Sequence, residues 1–163
     1  MDVAIFIGSD SDYEVVKEAV EILKHFRVTC SLEVTSAHRS PERTVNLVKS
    51  SEEQGVKVFI AVAGKAAHLA GVVAAHTVRP VIGVPVESPG LTGLDALLST
   101  VQMPKGVPVA TMGLGKSGAA NAALLAVQML SLSNPSLEKK LREYKREMAS
   151  EVESKSKKVR ENK

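Results

Sequence analysis

The chain is poor in aromatic residues and in thiols. Phe, Tyr and Trp make up 3% of its 163 residues, with two Tyr and no Trp. That argues against base-stacking platforms and against aromatic clamps for sugars or flavins. A single cysteine, Cys30, excludes an intrachain disulfide and points to a reducing compartment. Long apolar runs are missing too. The longest uncharged stretch, Ser117 to Leu137, contains Asn121 and Gln128 and ends in Ser-Asn-Pro before Ser136, so it reads as a buried helix rather than a membrane span. Met1-Asp2 precedes only a five-residue apolar run, too short and too acidic at its start for a signal peptide. A cytoplasmic protein with no membrane partner is expected.

What remains is an ordinary globular balance of 44% hydrophobic and 24% charged residues, sized for one domain. The net charge of +3 is unevenly placed. From Glu138 to Lys163 there are ten Lys/Arg against six Asp/Glu, a net +4, whereas the preceding 137 residues hold eleven against twelve, a net −1. The body therefore has no signature for binding a polyanion, and no nucleic-acid partner is expected.

Short β-branched runs alternate with helical periods. Strands are predicted at Val3–Ile7, Val28–Thr35, Val56–Ala63, Pro80–Pro85 and Val107–Met112. A helix follows Gly8–Glu14, opened by a capping box of Ser11 and Glu14. Others start at Ser40-Pro41, at Gly64 (through about Thr77), over Leu94–Gln102 and over Gly118–Leu132. Alternating strands and helices imply a parallel sheet covered on both faces. Five strands suggest the doubly wound, flavodoxin-like order, a three-layer α/β/α sandwich with an extra C-terminal helix. Residues 1–133 form the α/β domain. Residues 134–163, entered through Asn134-Pro135, form a last helix and basic tail, either part of that domain or packed on a neighbouring subunit. Leu137, Leu141, Tyr144, Met148 and Val152 share one face of it, and beyond Glu153 a frayed, solvated helix is the alternative.

Some attractive motifs fail on context. Gly113-Leu-Gly115-Lys-Ser-Gly118 spells a dinucleotide fingerprint, but it lies in the last strand–helix unit, with no strand beyond it to carry a ribose-binding acid. For a P-loop, the required first glycine would fall at Ala110, inside a strand. A receiver domain needs an acidic acceptor where Ala63-Gly64 stands. His25, His38, His68 and His76 lack metal-ligand spacing, so no metal is expected. His25 reads as surface near a helix end, His76 as structural, and Cys30 as a buried, inert thiol in mid-strand.

Function in such sheets sits beyond the carboxyl ends of the strands. Gly8-Ser9-Asp10-Ser11-Asp12 offers two hydroxyls and helix-start N–H groups that suit a phosphate, and Asp12 suits a ribose diol. Simple helix capping explains the same residues equally well. Ser36-Ala-His38-Arg39 ends the second strand. Arg39 can fork a phosphate, and His38 can move protons near neutral pH. In a 2-1-3 strand order these two loops are neighbours, a pairing that suits acid–base chemistry on a phosphorylated small molecule.

The segments GSDSD, SAHRSP, AGKAAHLAG, PVIGVPVES, LDALLSTVQMPKGVPVAT and GKSGAANAALLA, in order from about Val3 to Leu132, resemble the PurE family of purine biosynthesis. The resemblance implies a flavodoxin-like homo-octamer with active sites at subunit junctions, to which Gln102-Met-Pro104 contributes. It implies that His38 is the catalytic histidine and that Ser9, Asp12 and Arg39 bind substrate. Ser11 and Ser36 fall in the same loops, and His68 faces the carboxylate pocket. The implied reaction moves the carboxylate of 5-(carboxyamino)imidazole ribonucleotide from the exocyclic nitrogen to ring C4, without cofactor, downstream of an ATP-dependent carbamate-forming synthetase.

Three positions depart from the mutase branch of that family. Val62 and Lys65 stand where it usually has glycines, and Ala70 where it has proline. Val62-Ala-Gly-Lys65 looks more like the branch that carboxylates aminoimidazole ribonucleotide directly with CO2, which carries Val-Ala-Gly-Arg. Ser-Ala-His38-Arg39 and Ala-Ala-His68-Leu favour the mutase. The direct carboxylase is therefore the second reading. A non-catalytic flavodoxin-like binding module is a third, from another class.

Overall fold

The computed structural model describes residues 1–161, so Asn162 and Lys163 of the expected tail lie outside the described residues. Contacts divide the chain into two units, Met1–Ala126 and Val127–Lys163. In chain order the elements are β1 (Val3–Ile7), α1 (Tyr13–His25), β2 (Cys30–Val34), α2 (Pro41–Glu53), β3 (Val58–Gly64), α3 (Leu69–Ala75), β4 (Val81–Val86), α4 (Leu94–Val101), β5 (Ala110–Thr111), α5 (Gly115–Ser131) and α6 (Pro135–Glu161).

The five strands form one parallel sheet in the order β2-β1-β3-β4-β5. Every residue of β1 and β4 is buried, as expected for central strands covered on both faces. Side chains alternate across the sheet. Ala4, Phe6, Phe59 and Ala61 share one apolar cluster with Val48 of α2 and Leu69, Ala70 and Val73 of α3. The rings of Phe6 and Phe59 pack tilted, centroids 5.7 Å apart. β1 pairs in register with both neighbours, Ile7 beside Val34 and beside Val62. β1 and β2 therefore end at one level, and β3 runs on two residues to Gly64 at the same edge of the sheet.

The edges of the sheet differ from the expectation. β5 is two residues long rather than Val107–Met112, because Pro108 has no N–H to give and only β4 is there to pair. β2 starts at Cys30, so that thiol sits at a strand end on the sheet edge, half-buried, rather than in mid-strand. Burial pushes its pKa up, which keeps it protonated and a poor nucleophile. Of the glycines in Gly113–Gly118, Gly118 serves packing, while Gly113 and Gly115 face open space. A Cβ on Gly118 would collide with the carbonyl of Gly113 and press on Val84. His76 is structural, its Nδ1 2.8 Å from the Val72 carbonyl.

In the second unit, the Asn134 carboxamide caps α6 by accepting from the N–H groups of Ser136 and Leu137. The helix runs unbroken to Glu161, laced by Arg142–Glu138 and Lys155–Glu151 pairs four residues apart. Leu137 and Leu141 are buried, while Met148 and Val152 are exposed.

Two helices end in the same way with different residues. At the end of α2 the N–H groups of Gly55 and Val56 bond back to Glu52 and Ser51, and Gly55 sits at φ +85°. At the end of α1, Arg27 and Val28 bond back to Lys24 and Leu23 in the same pattern, but the left-handed residue is Arg27, at φ +57°. An L side chain there carries a steric cost that glycine avoids. Arg27→Gly is expected to stabilise the protein by about 0.5–1 kcal/mol after the greater unfolded-state freedom of glycine is subtracted. A urea titration should show a higher midpoint; a lower one would mean that the Arg27 side chain contributes more than the strain costs.

Candidate active site

The loop after β2 is tied down by its own hydroxyls. Ser40 Oγ accepts from the Ser36 N–H and donates to the Ser36 carbonyl, each at 3.1 Å. Ser40 thus occupies the N-cap position of α2, but its side chain turns back on the loop instead of capping the helix, contrary to expectation. Below it, the buried hydroxyl of Thr44 donates to the Ser40 carbonyl, which leaves Thr35 to donate to Thr44 at 2.8 Å. The Arg39 N–H donates to Ser36 Oγ. These bonds tie Thr35, Ser36, Arg39, Ser40 and Thr44 together, and His38 stands at the exposed tip of the turn.

The loop after β1 is self-satisfied. Ser9 accepts from the Ser11 N–H, and Asp12 Oδ2 accepts from the Ser9 N–H at 3.1 Å, so the capping box is Ser9 with Asp12 and not Ser11 with Glu14. Glu14 pairs with Lys17 instead. The Asp12 N–H bonds the Ser9 carbonyl, and the Tyr13 N–H bonds the Asp10 carbonyl. The free N–H donors expected at this helix start are therefore taken at Ser9, Ser11, Asp12 and Tyr13. What the loop offers is a pair of hydroxyls, Ser11 Oγ to Ser9 Oγ at 2.9 Å, with Ser9 Oγ donating on to Asp10. Arg39 crosses to this loop and donates from Nη2 to the Gly8 carbonyl at 3.2 Å. That bond fixes the guanidinium next to the two serines and leaves other N–H donors of its fork unused.

Asp12 is buried. Burial pushes its pKa up, against the pull of the Ser9 N–H and the Ser11 side chain, and nearby Asp10 pushes the same way.

The loop after β3 carries the second histidine. Lys65 takes a left-handed backbone, φ +57°, and two tight turns follow: the Ala67 N–H bonds the Lys65 carbonyl and the His68 N–H bonds the Ala66 carbonyl. These turns delay α3 to Leu69, whereas the sequence suggested a helix from Gly64. His68 lands at the N-cap of α3 without capping it. Its ring is free to meet His38: His38 Nε2 and His68 Nδ1 lie 2.8 Å apart, with the rings edge to face. An N–H···N bond of this length needs one proton and one lone pair between the two rings.

A cavity of about 740 Å³ opens at this edge of the sheet. All seven residues singled out in the sequence, Ser9, Ser11, Asp12, Ser36, His38, Arg39 and His68, line it. Sequence reasoning singled out no residue of the loop after β4. Glu87 and Ser88 also line the cavity, and Ser88 Oγ is buried without a partner. No sequence signal marks an unpartnered hydroxyl. Among the described residues, no three His, Cys, Asp or Glu side chains gather to hold a metal ion, and no helix is long and apolar enough to cross a membrane.

Fold and cavity together define a doubly wound, flavodoxin-like α/β protein with a polar, histidine-bearing site at the carboxyl edge of its sheet. The family model described as AIR carboxylase matches residues 2–151. An N5-carboxyaminoimidazole ribonucleotide mutase of Pyrococcus horikoshii is 51% identical over 98% of this chain and 89% of its own length. Proteins of that name from Methanocaldococcus jannaschii and Escherichia coli are 49% and 48% identical, covering 98% and 92% of this chain and 98% and 89% of their own. The crystal structure of Treponema denticola PurE superposes with a TM-score of 0.87 at 28% identity, over 96% of each chain. The chain belongs to the AIR carboxylase family, the PurE family that its motifs resemble.

Because burial raises the Asp12 pKa, the ionised carboxylate costs the folded state stability. The folded protein holds this proton more tightly than the unfolded chain, so the cost is absent well below the ordinary carboxylate pKa and is incurred as pH rises through the raised value. Asp12→Asn should therefore melt at or above the wild-type temperature at pH 7. Its advantage should shrink as the pH is lowered towards 4. A variant that melts well below wild type at pH 7 would show that the carboxylate's hydrogen bonds outweigh its burial.

Proposed function

We propose that this protein is an N5-carboxyaminoimidazole ribonucleotide mutase, acting in purine biosynthesis. It converts 5-(carboxyamino)imidazole ribonucleotide into 4-carboxy-5-aminoimidazole ribonucleotide. The observation that carries the reading is the His38–His68 pair, 2.8 Å apart, in one cavity with two serine hydroxyls and an anchored arginine. Relatives about half identical to this chain carry that name.

Each group has a task in this reading. The Ser9 and Ser11 hydroxyls turn from each other to the phosphate, and Arg39 donates from its unused N–H groups. Asp12 accepts from the ribose hydroxyls, and Ser36 keeps Arg39 and His38 in place. The carbamate C–N bond breaks, its electron pair stays on nitrogen, and CO2 is released into the cavity. His38 gives that nitrogen a proton. Ring C4 then attacks the CO2 carbon to form the C–C bond, and His38 takes back the proton that C4 loses. One proton goes out and one returns, so no other acid or base is consumed. His68 orients the His38 ring and can share its proton through the N···N contact. The small side chains of Ala63, Gly64 and Ala66 leave room for CO2 and limit the water beside it.

The reading includes self-association into an octamer, cytoplasmic residence and supply of the N-carboxylated substrate by an ATP-dependent carbamate-forming synthetase. Self-association is supported by an apolar stripe on α4: Leu94, Leu98 and Val101 follow one face, each about half exposed, with Leu91 just before it. The apolar face of α6, exposed at Met148 and Val152, suits a place against a neighbouring subunit.

His38→Asn should fold and melt like wild type but lose isomerase turnover by at least about 10²- to 10⁴-fold. Near-normal isomerisation by that variant would refute the assignment. Direct carboxylation is the second reading, favoured by Val62-Ala-Gly-Lys65. The purified protein, offered each nucleotide, should isomerise the carbamate. Turnover of aminoimidazole ribonucleotide with bicarbonate, without turnover of the carbamate, would establish the carboxylase instead.

A further inference from the structure

Of the three non-glycine residues with left-handed backbone among the described residues, Arg27, Lys65 and Thr92, only Lys65 lines the cavity. The position demands what glycine provides most cheaply, because Lys65 opens the tight turns that deliver His68. The lysine does not close a helix as Arg27 does. It has no ion-pair or hydrogen-bond partner for its ammonium group among the described residues. An exposed cation that lines the cavity, has no polar partner and sits on a strained backbone is better explained by a ligand than by the fold.

The charges around the cavity say which part of a ligand. Its lining carries two carboxylates, Asp12 and Glu87, and two permanent cations, Arg39 and Lys65. Arg39 is tied to the Gly8 carbonyl and so serves the β1 and β2 side, beside the serine hydroxyls. Lys65 stands on the β3 side, and the next strand, β4, leads into the loop that holds Glu87 and Ser88. The two histidines meet between these halves. A nucleotide whose phosphate lies against Ser9, Ser11 and Arg39, with its reacting ring at His38, extends its remaining anionic group into the second half. There Glu87 would repel a carboxylate. Lys65 offsets that charge, and the buried, unpartnered hydroxyl of Ser88 can donate to it.

We propose that Lys65 is a specificity-determining residue that binds the migrating carboxylate and makes the site prefer carboxylated over uncarboxylated aminoimidazole ribonucleotide. The proposal rests on the mutase reading for the identity of the nucleotide. Its test uses binding as well as turnover. Product (4-carboxy-5-aminoimidazole ribonucleotide) and aminoimidazole ribonucleotide differ by the one carboxylate, so their dissociation constants can be compared by calorimetry.

Lys65→Met keeps a non-glycine residue in the turn and removes the charge. It should weaken product binding about tenfold, raise KM for the carbamate similarly, and change binding of aminoimidazole ribonucleotide less than about twofold. Lys65→Arg should restore the preference. Lys65→Gly should lose it like Lys65→Met while melting above wild type, a combination that a purely structural role would not produce. Equal weakening of both nucleotides by Lys65→Met would overturn the proposal by placing the ammonium on the phosphate. Unchanged binding of both would overturn it outright. A wild-type protein that binds both nucleotides but does not isomerise the carbamate would remove the mutase reading, and the binding comparison would still decide the role of Lys65.

Discussion

The geometry of the site follows from one topological constraint, the crossing of the chain over β1. The chain leaves β1, adds β2 on one side, then returns to add β3 on the other. Parallel pairing in register sets Val34 and Ile7, the last residues of β2 and β1, beside Val62 of β3, which runs on two residues to Gly64. The loops after β2 and β3, thirty residues apart in sequence, then face each other across the end of β1. That is why His38 and His68 meet at 2.8 Å and why Arg39 reaches the Gly8 carbonyl. The buried strands supply the rigidity. With β1 covered on both faces, the loops cannot shift in register without exposing its apolar side chains.

On that frame, the polar groups divide into those that hold and those that are held ready. Ser36, Ser40, Thr35 and Thr44 bond among themselves and with the backbone, so they fix the turn that presents His38. Ser9 and Ser11 bond chiefly to each other and to Asp10, an arrangement that a stronger acceptor can displace. Asp12 is buried at some cost to its ionised form, and Lys65 sits on a backbone that its side chain disfavours. The Asp12 carboxylate returns part of its cost by closing the capping box with Ser9, whereas nothing in the fold requires a lysine at 65. In the proposed reading they are places where stability is given up for a ligand.

Much of this was legible in the sequence. The alternation of β-branched runs with helical periods specified the parallel sheet and its loops, and the motifs specified which loops matter. The seven candidate residues fall in one cavity because the 2-1-3 order leaves their loops nowhere else to go. Local detail was less legible wherever two residues could play one part. Ser9 and Ser11 both suit a cap, and only the short 3-10 turn over Asp10–Asp12, which precedes α1, decides for Ser9 with Asp12. Gly64 to Thr77 has helical composition throughout, but the left-handed Lys65 and the turns after it postpone the helix to Leu69. The short β5 reflects a missing partner strand, and the half-buried Cys30 reflects the sheet edge. Both depend on what lies beside a strand, which periodicity does not record. Ser88 escaped for a similar reason, since its unpartnered hydroxyl exists only in three dimensions.

The central claim is that one imidazole serves both the nitrogen and the carbon ends of a nucleotide gripped by the neighbouring loop. The most direct measurement is the crystal structure of the His38→Asn variant soaked with 4-carboxy-5-aminoimidazole ribonucleotide. The account predicts the phosphate on Ser9, Ser11 and Arg39, with ring C4 and the exocyclic nitrogen both within one side-chain reach of position 38. A nucleotide bound with its phosphate elsewhere, or with its aminoimidazole turned away from that position, would contradict it.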